Sequence, residues 1–184
     1  MLLGQRFDVC PADLDESVLG DEDARAYVER LARAKALTVA ALRPGAAIVA
    51  ADTTVALDGE IFGKPVDAPD AARMLRLFSD RTHEVHTGLA VIDRPRDGAA
   101  GGDGSTAMIS IVVTTEVTFD RLSDADVAFY VSTGEPLDKA GAYAIQGIGA
   151  MYVRSVRGSV TNVVGLPLAE LRALLGDALR TRPD

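Results

Sequence analysis

Asp52 stands at the end of an apolar run, Ile48-Val49-Ala50-Ala51, and is followed by two hydroxyl residues, Thr53 and Thr54. A second strand-like run then reaches Asp58-Gly59, a pair favoured in two-residue hairpins. Twelve residues after Asp52 comes Lys64, a lone cation between Gly63 and Pro65. A carboxylate at the end of a buried strand, with an ammonium returned beside it by a hairpin, suits a metal–polyphosphate site. The carboxylate holds a divalent ion or polarises water, and the Lys neutralises phosphate oxygens. The same spacing also fits a strand-end Asp that caps a turn and a Lys in water, and so short a motif does not separate the two.

A second stretch, Glu135 to Gly149 (E-P-L-D-K-A-G-A-Y-A-I-Q-G-I-G), has few large apolar residues and three glycines. Its polar groups, Glu135, Asp138, Lys139 and Gln146, follow no periodicity. Such a loop buries little for the entropy it costs, which makes a functional role attractive. His83 and His86 are three apart, on opposite faces of any strand, and so are poor co-ligands of one metal. Local structure is the expected role of both.

The elements that must position these groups follow from periodicity and punctuation. Residues 5–10 alternate enough for a short strand, with Phe7 and Val9 on one face. After the acidic residues Asp13, Asp15 and Glu16, Asp21 is the expected N-cap of a first helix. Ala24, Tyr27, Val28 and Leu31 mark its buried face, and Pro44-Gly45 stops it near Leu42. Arg30, Arg33 and Lys35 form its solvated side, with Lys35 the one nearest a candidate role. A second helix starts near Asp67 or Ala68 and buries Ala71, Met74, Leu75 and Phe78. Residues 83–93 and 107–119 read as strands, the latter long and β-branched, and 94–105 as a flexible Gly-rich loop between them. Ser123 opens a third helix in capping-box fashion, ending near Thr133 before Gly134. Residues 150–157 return to strand, 158–162 form a polar turn, and Pro167 begins a last helix with Leu168, Leu171, Leu175 and Leu179 inward.

The chain has 184 residues, 48% of them hydrophobic, enough for one well-buried domain over 1–184 or a two-lobed one. Its net charge of −8 argues against a nucleic-acid polymer as partner, since such binders are usually basic. A small anionic substrate is still allowed, because only the charge of the cleft matters to it. One cysteine, Cys10, excludes an intrachain disulfide and most zinc frameworks. No window approaches a membrane span, and no basic segment with an apolar h-region follows Met1, so the expected location is the cytoplasm, with no membrane partner.

Taken together, A-D-T-T-V at 51–55, G-K-P at 63–65, S-D-R-T-H-E-V-H-T-G at 79–88, E-P-L-D-K-A-G-A-Y-A-I-Q-G at 135–147 and V-G-L-P-L at 164–168 resemble the Maf family of nucleoside triphosphate pyrophosphatases. The resemblance covers nearly the whole chain after residue 6. It implies an α/β fold: an elongated, strongly curved mixed β-sheet flanked by helices, with a nucleotide cleft between two lobes. It also implies hydrolysis of a nucleoside triphosphate to the monophosphate and diphosphate with a divalent cation, Mg2+ or Mn2+; a homodimer stays open. By the same resemblance Asp52 is the proton acceptor that activates water at the α-phosphorus. Lys64 and Lys35 hold phosphate oxygens, Glu16 joins Asp52 near the metal, and Thr53 and Gln146 take part in base selection. Asp-Thr with Ile-Gln-Gly resembles the dTTP and UTP branch; the 7-methyl-GTP branch has Gln after the Asp and Glu-Gly at the later site.

One departure concerns the start. Family members open with a strand and an S-x-S-P-R-R loop, and neither is visible before Gln5-Arg6-Phe7. The expectation is that an interior strand and a phosphate-binding arginine are lacking, leaving the 184-residue form less stable and poorly active. A chain without that loop could instead be a non-catalytic nucleotide-binding regulator of cell division, the family having been named for inhibition of septum formation. The related ITP-directed pyrophosphatases are disfavoured, because no S-x-N-x-x-K motif opens the chain.

Overall fold

The computed structural model describes residues 7–93 and 108–176. The loop expected at 94–105 and Leu179 lie outside these, as does the start of the strand expected at 5–10. Residues 7–10 form no strand, and Phe7 and Val9 are exposed. Alternation there finds no neighbouring strand to pair with and no core to face.

Helix α1 (Ala24–Leu42) is capped by Asp23, whose carboxylate accepts from the Ala26 N–H, two residues beyond the Asp21 expected from sequence. Strand β1 (Ile48–Leu57) turns through Asp58 and Gly59, both at positive φ, into the short β2 (Glu60–Phe62). Helix α2 (Ala68–Phe78) starts on the Asp67 cap and buries the four residues expected of it. Strands β3 (Thr82–Ile92) and β4 (Met108–Phe119) follow, then α3 (Asp124–Ser132) with both hydrogen bonds of its Ser123/Asp126 capping box. Three 3₁₀ turns cover Glu135–Asp138, Ala140–Ala142 and Ile148–Tyr152, so strand β5 is confined to Val153–Arg157. The polar segment after it is a one-turn helix, α4 (Val160–Val163), rather than a plain turn, because the Ser159 hydroxyl caps the Asn162 N–H. Helix α5 (Leu168–Leu175) closes the described chain, with Leu171 its most buried residue.

The sheet order is β2-β1-β3-β4-β5, and every pairing is antiparallel. The α/β class stands, but among the described residues no parallel pair makes the sheet mixed. β2 and α2 carry the chain back to the end where β1 finishes, so β3 runs against β1. Nor is there an interior gap. β1 pairs with β3 from Ile48 to Ala56, and with β2 only from Val55 to Leu57. Its first half is therefore an edge among the described residues, and a further strand there would have one neighbour, not two.

Strand periodicity divides the helices between the two faces. On one face α1 lays Ala32 and Ala36 against Ile48, Ala90 and Ile92. Gly88 makes this approach close: a Cβ there would overlap the Val28 carbonyl of α1. On the other face Val55, Val85, Val117 and Phe119 pack against α2 and α3, while Leu89 and Val91 pack against Leu171 of α5. Each such fully buried apolar side chain contributes about 1.5–3 kcal/mol. No helix among the described residues is long and apolar enough to cross a membrane.

Candidate active site

Register places the site. Asp52 lies opposite Gly88 and Thr53 opposite Thr87, so the two consecutive residues look out on opposite faces of the sheet. On the α1 face, Lys35 reaches down from the helix and its Nζ donates to Asp52 Oδ1 at 2.5 Å and pairs with Glu16 Oε1 at 2.6 Å. Lys35 is two turns beyond Val28, the residue seated on Gly88, so the close approach at the glycine also brings the ammonium to the carboxylate. Lys35 is thus not simply a solvated residue; its side chain is 21% exposed, and that of Asp52 only 9%.

Glu16 reaches the same point because its segment is tied to α1. Tyr27 donates its hydroxyl to the Glu16 carbonyl at 3.0 Å, and Arg30 donates to the Ser17 carbonyl at 3.0 Å while pairing with Glu22. Sequence reasoning missed Tyr27 and Arg30 as positioning residues, having placed one in the core and the other in water. The spacing of Tyr27, Arg30 and Lys35 along one helix was the available signal.

Burial pushes the Asp52 carboxyl above its ordinary range, and this outweighs the opposite pull of the Lys35 ammonium. Burial works against the charge on Lys35 as well, but the hydrogen bonds it donates to Asp52 and Glu16 outweigh it and hold its proton more tightly than usual. A carboxylate raised by desolvation and held by a fixed cation is a suitable proton acceptor. Among the described residues no group of three or more His, Cys, Asp or Glu could hold a metal. Two carboxylates converging on one cation are nevertheless the donor set that an ion of the Mg2+ type takes from protein when phosphate and water supply the rest.

On the other face Thr53 lines a cleft of about 220 Å³ with Val55, Val85, Tyr143, Val164 and Lys64. Clefts for whole drug-sized ligands run to about 300–1,000 Å³, so this one suits a single ring better than an entire nucleotide. The two stretches singled out in the sequence meet here. The Gly141 N–H donates to the Gly63 carbonyl at 3.0 Å, and Gly141, at φ +68°, sits where a Cβ would press on the Val55 side chain. Asp138 and Lys139 from the second stretch join the cleft wall, and Lys139 pairs with Asp138 at 2.6 Å. A second cleft of about 390 Å³, on the side of Glu16 and Lys35, follows the edge of β1 from Ile48 to Ala51, which no described strand covers.

Lys64 is exposed at the mouth of the ring-sized cleft, and its charge acts on Asp138. The structure therefore groups Asp52, Lys35 and Glu16 in one place and Thr53 and Lys64 in another, separated by one step along β1. Gln146 is exposed and lines neither cleft. His83 and His86 diverge as expected: His83 bonds Tyr143 at 2.8 Å in the core, and His86 bonds Thr114 at 2.9 Å on the α1 face.

The family model described as Maf-like protein matches residues 1–178. A dTTP/UTP pyrophosphatase of Anaeromyxobacter dehalogenans strain 2CP-C is 57% identical over 173 residues, covering 94% of this chain and 84% of the relative. The proteins of the same name from Myxococcus xanthus and Geobacter sulfurreducens are 52% and 49% identical, each covering more than nine-tenths of this chain and more than four-fifths of their own. With a family match over nearly its whole length and relatives this similar, the chain belongs to the Maf-like protein family.

Proposed function

We propose that this protein hydrolyses dTTP and UTP to the nucleoside monophosphate and pyrophosphate, with Asp52 as the general base. The observation that carries this reading is the juxtaposition of a half-buried Asp52–Lys35 pair, joined by the exposed Glu16, with a ring-sized cleft beginning at the next residue, Thr53. It is supported by the relatives named as dTTP/UTP pyrophosphatases. A nucleotide laid across this edge of β1 puts its base in the Thr53 cleft and its phosphates toward Asp52.

In the reaction, the oxygen of a water molecule bonds to the α-phosphorus and the bond from that phosphorus to the bridging oxygen of pyrophosphate breaks. Asp52 takes the proton that the water loses. Lys35, already hydrogen-bonded to Asp52, fixes the orientation of the carboxylate and places positive charge beside the equatorial oxygens. Lys64, at the cleft mouth, neutralises charge on the phosphate chain as it leaves. Asp52 and Glu16 would hold a Mg2+ or Mn2+ ion, which supplies charge neutralisation at the phosphates. Gln146, exposed on its loop, takes part only at the open end of the nucleotide.

The test is product analysis with dTTP and UTP in Mg2+ or Mn2+. Equal amounts of monophosphate and pyrophosphate are expected. Orthophosphate as the first product, or no turnover of either nucleotide, would overturn the assignment.

A further inference from the structure

We infer that Thr87 and Asn162 are positioning residues which fix the Thr53 hydroxyl as a hydrogen-bond acceptor toward the ring-sized cleft, and so select a ring that presents an N–H. The inference rests on the reading above, which places the base in that cleft.

The logic is a count of protons. Thr87 is fully buried, and its hydroxyl lies 3.0 Å from the Asn162 main-chain carbonyl. A carbonyl only accepts, so the single hydroxyl hydrogen of Thr87 is spent there. The Thr53 hydroxyl is 2.8 Å from the same Thr87 oxygen. With its hydrogen already committed, Thr87 offers Thr53 only lone pairs, and Thr53 must donate. Thr53 in turn has no hydrogen left, and only its lone pairs are offered to the cleft.

The far end of this chain does not yield easily. Asn162 is fully buried, and its side-chain nitrogen donates to the Val85 carbonyl and to Thr115 Oγ1, both at 3.0 Å. The Val85 carbonyl cannot donate, which settles which end of the amide is nitrogen. The Thr115 hydroxyl donates to the Ser159 carbonyl at 3.1 Å and accepts from the Ser159 N–H at 3.0 Å, closing the one-turn helix onto the sheet. The Asn162 carbonyl also accepts from the Gly165 N–H at 2.9 Å, which holds the Val164–Gly165 wall of the cleft beside Thr53. Reversing the Thr53–Thr87 bond would therefore leave the buried Asn162 carbonyl without the Thr87 hydrogen.

An acceptor set among Val55, Val85 and Tyr143 discriminates ring edges by polarity. Uracil and thymine carry a hydrogen on N3; cytosine carries a lone pair there. A lone pair held against an acceptor leaves both unpaired, and about a tenfold preference in kcat/KM for UTP over CTP follows. Thr87→Val removes the lone pairs that orient Thr53 at almost unchanged volume. Thr53 is then free to donate into the cleft, and the UTP-to-CTP ratio is expected to fall to about twofold or less. Thr87→Ser keeps the hydroxyl and should restore the wild-type ratio. Loss of stability alone would lower both rates and leave the ratio in place.

The experiment is kcat/KM for UTP and CTP in the wild type, Thr87→Val and Thr87→Ser. Equal use of the two nucleotides by the wild type overturns the inference, even if Thr87→Val does not fold. So does a Thr87→Val protein whose ratio matches the wild type. A wild type that releases pyrophosphate from UTP but shows either result loses only this inference, whereas one that turns over neither dTTP nor UTP loses the proposed function as well.

Discussion

Two carboxylates, Asp52 on β1 and Glu135 at the head of the 135–149 loop, are each drawn into the protein and end with opposite acidities. Burial raises Asp52, whose hydrogen-bonding partner is the Lys35 ammonium. Burial also works against the charge on Glu135, but there it loses. Glu135 accepts from the Gly149 N–H at 2.9 Å, the Tyr130 hydroxyl at 2.7 Å and the Ile148 N–H at 2.9 Å, and its pKa falls below the ordinary value. A carboxylate held on both oxygens by three fixed donors is locked in place and serves as an anchor. One held by a single cation beside a cleft keeps an oxygen available for a proton. The contrast separates a site residue from a structural one more sharply than burial does.

The largest effect that could break this contrast is at Asp52. Asp52→Asn keeps the shape and removes the proton acceptor, so dTTP hydrolysis should fall about 10²–10⁴-fold. Because folding raises the Asp52 pKa, the ionised form weakens the folded state at neutral pH; relief of that cost offsets the weakened bond to Lys35, and the neutral amide should not lower the melting temperature at pH 7. Near-wild-type turnover would remove Asp52 from the chemistry; a large drop in melting temperature would make it an anchor like Glu135.

His83 shows a third outcome, a titratable group buried neutral. It is 1% exposed, stacks near Phe78, Phe119 and Tyr143, and burial lowers its pKa from 6.5 to about 4. A group whose folded pKa is depressed contributes stability above its unfolded pKa and loses it as pH falls toward the folded one. The unfolding free energy should therefore drop by about 3 kcal/mol between pH 6.5 and 4. His83→Phe should remove that part of the slope in urea titrations. An identical slope in both proteins would mean that other groups set the acid sensitivity.

At Glu135 the expected pattern is the reverse of that at Asp52. Glu135→Gln turns an amide N–H toward one of the three donors, at a cost of about 1–3 kcal/mol. For a chain of this size each kcal/mol lowers the melting temperature by about 2–4 °C. Turnover of the folded variant should stay within about fivefold of wild type. A collapse of turnover with no thermal shift would place Glu135 among the reacting groups. The smallest change is expected at Gln146. Gln146→Glu alters an exposed side chain outside both clefts, so relative kcat/KM among dTTP, UTP and CTP should move by about fivefold or less. A larger shift would show that the loop folds inward over bound nucleotide.

What the chain determined locally is extensive. The caps at Asp67 and Ser123, the Asp58-Gly59 turn, the buried face of α2 and the limits of β3 and β4 all rest on interactions within a few residues, and all were legible. So were Asp52 and Lys64 as candidates, because a carboxylate ending an apolar run and a cation after a hairpin are patterns of adjacent residues. Expectations that depended on distant partners fared differently. Residues 7–10 alternate without becoming a strand, since alternation does not supply a neighbour. Lys35 looks like any basic residue on a helix until the contact of α1 with Gly88 places it on Asp52. Thr87 and Asn162 are 75 residues apart along the chain, and nothing in either one's local sequence announces their hydrogen bond. Local propensity depends on sequence neighbours, whereas register and helix docking decide which polar atoms end up 3 Å apart. The side chains that could act were written in the chain; their orientation, partners and acidity came from the way the sheet and α1 close on each other.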